Sequence, residues 1–158
     1  MTMEKLRAEM TAFFQKLYVD QQKVLVFGEG PLHARLMMIG EAPGEQESLL
    51  GRPFVGKAGK NLDEFLALSG LNRAELYITN TVKYRPVKQS AAGNTVNRAP
   101  TQEEIKLGLP FLKREIALVA PEVIVTLGNV PLRALMGRSA TIGVLHGQWQ
   151  TWEGRRLY

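Results

Sequence analysis

A short apolar run that stops abruptly at a glycine and a carboxylate is the strongest constraint in this sequence. Leu36 to Ile39 is apolar throughout and leads directly into the loop Gly40-Glu41-Ala42-Pro43-Gly44. A second glycine-rich loop, Gly51 to Gly56, carries Phe54 beside a proline, and a helical pattern follows it. Open α/β folds place their chemistry at the carboxyl ends of parallel strands. An acid on one loop and an aromatic ring on the next therefore predict a pocket for a flat polar ring.

Strand and helix patterns alternate along the chain, which predicts a parallel sheet covered by helices on both faces. Thr101-Gln102-Glu103-Glu104 is a capping box, and Pro110 predicts a kink in the helix that follows it. We expect one α/β domain over residues 1–158, with three α/β/α layers and a mainly parallel central sheet. The predicted strands are 23–27, 35–39, 76–79 and 123–127; the predicted helices are 3–18, 57–68, 101–118 and 130–136; and 148–158 reads as a hairpin or the start of a strand.

Composition excludes several classes of protein and is compatible with a polyanionic partner. There is no cysteine, so neither a disulfide framework nor a thiolate metal site can form. Twenty Lys and Arg residues against fifteen Asp and Glu residues give a net charge of +5. No apolar run approaches the ~20 residues of a membrane span, and the N-terminus lacks the apolar stretch of a signal peptide. We expect a cytoplasmic monomer.

The segment from Pro86 to Pro100 is polar, rich in small residues and long for a connection inside a compact domain. Such a segment is either functional or mobile. Basic side chains around it could form a rim that holds phosphates; the alternative is an ordinary solvated surface. The predicted DNA-binding residues are Lys83, Arg85, Lys88 and Arg98, with Arg52, Lys57 and Lys60 on the same side.

Three side chains are candidates for the pocket itself. Glu41 follows a strand, where it could accept a proton from water or orient it, and the small residues around it would allow a ligand close to the backbone. Phe54 is either a stacking platform or a plug on the core. Asn80 ends the strand 76–79, and its amide offers both a donor and an acceptor to a pyrimidine edge. The alternatives are a loop glutamate that bonds backbone amides and an asparagine that caps its strand.

These motifs, in this order, resemble those of the uracil-DNA glycosylase superfamily, and the resemblance is closest to its family 4. The motifs that carry it are GEAPGEQE, GRPFVGKAG, LYITNTVKYRP and VIVTLG, and it extends from about residue 24 to residue 147. The resemblance implies that Gly40 to Gly44, Ala42 included, lines a uracil pocket and that Glu41 positions the attacking water. It further implies that Glu47 belongs to the pocket loop, that Phe54 stacks on the flipped base and that Asn80 bonds the uracil edge.

The implied activity is hydrolysis of the N-glycosidic bond of deoxyuridine in DNA, which releases uracil and leaves an abasic site without a metal or redox cofactor. Two alternatives are a non-catalytic nucleic-acid-binding module of the same fold and a hydrolase of free nucleosides or nucleotides. The sequence also leaves open whether hypoxanthine or xanthine is accepted, and whether single- or double-stranded DNA is preferred.

The chain departs from the family pattern in two places. The family's iron–sulfur cluster is held by four cysteines, two in the N-terminal region, one at the position of Tyr84 and one near Gly108, and none is present here. We expect no cluster, and we expect packing of Tyr84 on the N-terminal helix to replace it structurally. The family's second catalytic motif, a His-Pro pair, lies beyond the last residue of this sequence, so we expect a final strand and helix to be missing from it.

Overall fold

A five-stranded sheet forms the centre of the computed structural model, which describes all 158 residues. Its strands lie in the order β2-β1-β5-β7-β6; the first three pairings are parallel, and only β6 and β7 pair antiparallel. The mainly parallel sheet is therefore confirmed. The strands of the chain are β1 (Leu36–Gly40), β2 (Tyr77–Asn80), β3 (Val87–Gln89), β4 (Thr95–Asn97), β5 (Val123–Thr126), β6 (Gln150–Trp152) and β7 (Arg155–Leu157).

Helices cover both faces of this sheet, as the alternation of patterns predicts. Neighbouring residues of β1 point to opposite faces: Met37 and Ile39 join the larger core with α1 and α4, whereas Met38 packs against Leu62 and Leu66 of α3. The three-layer α/β/α architecture is confirmed. The helices are α1 (Met3–Leu17), α2 (Glu45–Leu50), α3 (Lys57–Leu68), α4 (Gln102–Val119), α5 (Asn129–Met136) and α6 (Ile142–Leu145), with a 3₁₀ turn at Arg73–Glu75.

Local sequence signals act where they were expected. Thr101 caps α4 and Glu104 bonds back to the Thr101 amide, which completes the capping box. α4 continues as a single helix through Pro110, and the kink there stays a prediction. The hairpin of β6 and β7 turns at Glu153 and Gly154, and both residues have positive φ, as a type I′ turn requires.

One prediction for local structure is wrong, and some elements were not predicted. Residues 23–27 form no strand: Val26 is buried and its amide donates to the Lys83 carbonyl, but the segment forms no ladder with a neighbouring strand. Within the segment 86–100, β3 and β4 pair as an antiparallel hairpin, which the sequence patterns did not predict. The short helix α2 has no clear apolar periodicity and went unpredicted.

A polar and aromatic network joins α1, the turn after β2, the β3–β4 hairpin and α4. The Tyr18 and Tyr84 hydroxyls lie 2.7 Å apart, and the Tyr84 hydroxyl donates to Glu104 Oε2 at 3.0 Å. Arg98 reaches Glu104 Oε1 at 2.6 Å from the hairpin. The rings of Phe14, Tyr18 and Tyr84 pack against one another. The expected packing of Tyr84 on the N-terminal helix is thus present.

None of the helices combines the length and the apolar character needed to cross a bilayer.

The network makes stability depend on the ionisation of Glu104. Burial opposes ionisation of this carboxyl, but hydrogen bonds from Arg98, the Thr101 amide and Tyr84 outweigh burial and lower its pKa to about 2. Because the pKa is lower in the folded state, Glu104 stabilises the protein above the unfolded-state pKa of about 4.3, and this contribution is lost as pH falls toward the folded-state pKa. We expect Glu104→Gln to lower the free energy of unfolding by about 1–3 kcal/mol at pH 7.

The difference from wild type should shrink as pH falls from about 5 to about 2, as measured by urea unfolding at each pH. Glu103→Gln is the control, because Glu103 is exposed and its side chain makes no hydrogen bond; it should change the free energy of unfolding by no more than about 0.5 kcal/mol at pH 7. A Glu104→Gln difference that stays constant with pH would contradict the assignment.

Candidate active site

The pairing of β1 with β2 brings the two predicted strand ends side by side. Gly40 and Asn80 are direct neighbours in the parallel register. The segments that follow β1 and β2 also stay hydrogen-bonded to each other, because Thr81 donates to the Gly40 carbonyl from both its amide and its hydroxyl at 2.9 Å. The Val82 amide donates to the Glu41 carbonyl at 3.0 Å. The loop that carries Glu41 is therefore fastened to the turn that follows β2.

Phe54 and Asn80 meet over the bare backbone of Gly40. A Cβ atom at position 40 would lie 2.6 Å from Asn80 Oδ1 and would also collide with the edge of the Phe54 ring. Only glycine leaves room for this arrangement. The structure thus brings together Gly40, Phe54 and Asn80, which lie far apart along the chain.

The Asn80 side chain has the properties of a ligand-binding amide. The residue is buried, with 3% of its surface exposed, yet its amide makes no hydrogen bond to the protein. The only fully enclosed side-chain nitrogen or oxygen atom without a partner is Nε of Arg7. The amide of Asn80 therefore remains reachable from solvent, with donor and acceptor both free.

Phe54 is held in an uncommon conformation by groups outside the loop. Its φ of 53° lies in the left-handed region, which costs a residue other than glycine about 1–3 kcal/mol. Arg73 offsets this cost by donating to the Phe54 carbonyl at 2.9 Å and the Pro53 carbonyl at 2.8 Å. Gly59 of α3 lies against the Phe54 carbonyl, where any side chain would collide. Sequence reasoning missed Arg73 and Gly59, because their partners are main-chain atoms that no motif reveals.

Glu47 connects the two glycine-rich loops. Its Oε1 accepts from the Gly44 amide at 2.9 Å, and its Oε2 accepts from the amides of Val55 at 3.0 Å and Gly56 at 2.6 Å. Both carboxylate oxygens are thus used to hold Phe54's loop against the loop after β1. Contact of Glu47 with a bound base stays a prediction.

Glu41 stands at the rim of the sheet immediately after Gly40. Its side chain is exposed, but neighbouring protein atoms partly desolvate the carboxyl and raise its pKa. A carboxyl of this kind can hold a water molecule by hydrogen bonding or take a proton from it. Ala42 beside it is half-buried against the main core.

Comparison with known proteins shows the family of this chain. Residues 27–157 match the family model of the uracil DNA glycosylase superfamily. The chain belongs to this superfamily. It is 40% identical over 139 residues to a type-4 uracil-DNA glycosylase of Thermotoga maritima, an alignment that covers 87% of this chain and 68% of that protein.

Similar likeness extends to archaeal relatives. The chain is 42% identical over 115 residues to a type-4 uracil-DNA glycosylase of Pyrobaculum aerophilum, covering 73% of this chain and 55% of that protein. It is 39% identical over 136 residues to one of Saccharolobus solfataricus, covering 83% of this chain and 59% of that protein. The chain thus spans between about half and about two thirds of the length of these glycosylases.

Two of the four basic residues predicted to bind DNA form ion pairs within the protein. Lys83 is 1% exposed and paired with Glu115 inside the protein, so its predicted contact with phosphate is wrong. Arg98 donates to the carbonyls of Val87 and Ala99 and to both oxygens of Glu104, which anchors the β3–β4 hairpin. A lysine in a polar motif gives no sequence signal that it will be enclosed.

Arg85 and Lys88 remain available on the hairpin side. Arg85 is half-buried and uses Nε to bond Asn97 Oδ1 at 2.6 Å, while its two terminal nitrogens make no hydrogen bond to the protein. Lys88 is exposed on β3.

The residues at the cluster positions of the family do not fit an iron–sulfur cluster. Tyr84 presents a hydroxyl already bonded to Tyr18 and Glu104, and a side chain at Gly108 would lie 2.9 Å from the Thr81 carbonyl oxygen. No thiolate exists in the chain to hold iron. Nor does any group of three or more His, Cys, Asp or Glu residues come close enough to hold a metal ion.

The Glu47 connection can be tested through backbone amides. We expect Glu47→Gln to lose at least one of the three bonds, because an amide group has a single acceptor oxygen. Hydrogen exchange should accelerate by about 10- to 100-fold at each amide that loses its acceptor, either at Gly44 or at Val55 and Gly56, corresponding to about 1–3 kcal/mol of lost protection. Residue-resolved hydrogen exchange by NMR measures this directly.

The matched control is Glu45→Gln, because Glu45 is exposed on the same short helix and its side chain makes no hydrogen bond. It should leave exchange at all three amides unchanged. Equal acceleration in the two variants would mean that charge, and not the bonds of Glu47, protects this loop.

Proposed function

We propose that this protein excises uracil from DNA by hydrolysing the N-glycosidic bond of deoxyuridine, which yields free uracil and an abasic site. The observation that carries the proposal is the convergence of Phe54 and the unpartnered Asn80 amide over Gly40. A flat ring with polar edges is the ligand that an aromatic platform beside a free amide would bind. Membership of the glycosylase superfamily supports uracil as that ring.

Binding requires the nucleotide to leave the duplex stack. Extrusion costs a few kcal/mol, and the cost is smallest for a mispaired base. Stacking and hydrogen bonds in the pocket must therefore offset this cost. Phe54 offers a ring held in place by Arg73 and Gly59. Asn80 offers both a donor and an acceptor to the uracil edge, which a pocket built for apolar contact alone would lack.

The chemistry then needs a nucleophile and stabilisation of the leaving group. The sugar passes through an oxocarbenium-like state as the base departs. Glu41, on the rim beside Gly40, would hold the water that adds to C1′. The departing uracil carries negative charge, and the Asn80 amide N–H groups would donate to it as that charge develops.

Asn80→Ala tests the proposed base contact. We expect single-turnover excision from a uracil-containing single-stranded oligonucleotide to fall by about 10²- to 10³-fold, because a donor is removed from the leaving base. Gel analysis of cleaved abasic products gives the rate. Asn94→Ala removes an exposed asparagine amide at the hairpin turn instead and should keep the wild-type rate.

Different results point to the other candidate activities. Hydrolysis of free deoxyuridine as fast as of the oligonucleotide would indicate a nucleoside hydrolase. Binding of uracil-containing DNA without release of uracil by the wild-type chain would indicate a non-catalytic module. Asn80→Ala at the wild-type rate would remove Asn80 from the site.

The DNA surface is tested by salt dependence. We propose that Arg85 and Lys88 contact phosphates, so the logarithm of affinity should fall linearly with the logarithm of salt concentration. Arg85→Gln with Lys88→Gln should flatten that slope by roughly one to two units, at ~0.9 per lost duplex contact. Fluorescence anisotropy with labelled duplex at several salt concentrations measures it.

The control pair Arg35→Gln with Lys113→Gln removes the same net charge elsewhere. Arg35 precedes β1 at the amino ends of the strands, and Lys113 is exposed in the half of α4 that returns the chain to that end. An equal change of slope in both pairs would show that net charge alone governs binding.

A further inference from the structure

A buried ionic pair lies beneath the end of β2, apart from the groups that the proposed reaction uses. Lys83 and Glu115 are each 1% exposed, and Lys83 Nζ lies 2.7 Å from Glu115 Oε1. The same Nζ donates to Thr79 Oγ1 at 2.6 Å and to the main-chain carbonyl of Asn80 at 2.5 Å. An ammonium has three N–H donors, so every donor of Lys83 has a partner.

Two of these bonds end on the last residues of β2, and the third ends on α4. The ammonium therefore ties the peptide of Asn80 to a long helix that packs on the sheet. On the other side of the same turn, Thr81 bonds the Gly40 carbonyl twice. The backbone from which the Asn80 side chain projects is thus held from both sides.

We propose that Lys83 and Glu115 are positioning residues for Asn80: they hold the end of β2 so that the free amide faces the base. This inference rests on the proposed function of Asn80. The pair itself does not touch the base. Its effect on the reaction passes through the orientation of one amide, for which a displacement of about 1 Å can cost 10²-fold in rate.

The groups around the pair act on the charge of Lys83 in opposite directions. Burial lowers the pKa of Lys83, and the carboxylate of Glu115 acts in the opposite direction. Arg7 adds a second positive charge and donates to the Gly28 carbonyl at 2.7 Å. Glu115 is further bonded by the Tyr77 hydroxyl at 2.8 Å and by Thr79 at 3.0 Å.

A purely structural ion pair would behave differently from a positioning pair. Removing one buried partner destabilises a protein strongly, whereas replacing both by neutral groups of similar volume is often neutral for stability. The double variant Lys83→Met with Glu115→Gln therefore separates the two roles, because it removes the bond to the Asn80 carbonyl without leaving a lone buried charge. Tyr77→Phe is the matched control: it deletes another bond to the same carboxylate and leaves the contact of Lys83 with Asn80 intact.

The double variant should keep a higher melting temperature than Lys83→Met or Glu115→Gln alone but excise uracil ten- to a hundredfold more slowly than wild type in single turnover at saturating protein. In an Asn80→Ala background the same pair of changes should cost less than about twofold, because no amide remains to be positioned. Tyr77→Phe should lower the melting temperature and keep the excision rate within about twofold. The wild-type rate in the double variant, or an equal loss in both backgrounds, would overturn the proposal.

An NMR measurement that does not depend on enzyme activity separates this proposal from the proposed function. The side-chain amide of Asn80 should give one sharp pair of ¹⁵N-edited NMR signals in wild type and in Tyr77→Phe, and broadened or multiple signals in the double variant. If wild type releases no uracil but the signals change as expected, the function fails and the positioning stands. An unchanged Asn80 signal overturns the positioning whatever the activity.

A second variant covers the case in which the double variant does not fold. Thr79→Val deletes one of the three bonds of Lys83 and leaves the ion pair in place. It should slow excision two- to tenfold and broaden the Asn80 amide signals, and should have no further effect on the Asn80→Ala rate. A Thr79→Val protein with the wild-type rate and an unchanged Asn80 signal would overturn the proposal.

Discussion

The pairing of Gly40 with Asn80 at the ends of β1 and β2 is the contact on which the candidate site depends. Parallel pairing places the two residues side by side, and the missing side chain at position 40 lets the Phe54 ring and the Asn80 amide approach each other. A one-residue slip of this register would turn Asn80 to the opposite face of the sheet, because side chains alternate along a strand. The core contacts of Met37 and Met38 on opposite faces make such a slip costly.

Most charged side chains around the site bond its backbone groups and do not line the pocket. Glu47 uses both oxygens on backbone amides of the two loops, Arg73 holds the strained backbone of Phe54, and Lys83 bonds the carbonyl of Asn80. Hydrogen bonds to charged groups contribute more than neutral ones, and an amide or carbonyl left without a partner in a semi-buried loop is costly. The two glycine-rich loops can therefore remain open to a ligand while their backbones stay ordered.

Hydrogen bonds to a charged group also hold the β3–β4 hairpin, in a chain that has no cysteine to bind an iron–sulfur cluster. Glu104 receives Arg98 from the hairpin, Tyr84 from the turn after β2 and the amide of Thr101 at its own helix start. The aromatic rings of Phe14 and Tyr18 fill the space between α1 and that turn. Packed aromatic rings and the carboxylate of Glu104 therefore join α1, the turn after β2, the hairpin and the start of α4. A cysteine-held cluster could join the same segments. Arg85 and Lys88 are left facing outward on this side.

The sequence by itself determined the types of the main strands and helices and the order of the site motifs. Apolar runs ending in Gly40, Asn80 and Gly128 specify buried parallel strands, and the capping box at Thr101 specifies the start of α4, because these signals act within a few residues of the chain. The resemblance of the loop motifs then indicated that Glu41, Phe54 and Asn80 would line one pocket.

Only the tertiary structure decided which charges face solvent and which are enclosed. Lys83 and Arg98 look like phosphate contacts in the sequence, but their partners, Glu115 and Glu104, come from α4, 32 and 6 residues further along the chain. Residues 23–27 have the apolar pattern of a strand, yet no neighbouring edge accepts them as a ladder. Burial and pairing depend on what packs from a distant part of the chain, and no local pattern encodes that neighbour.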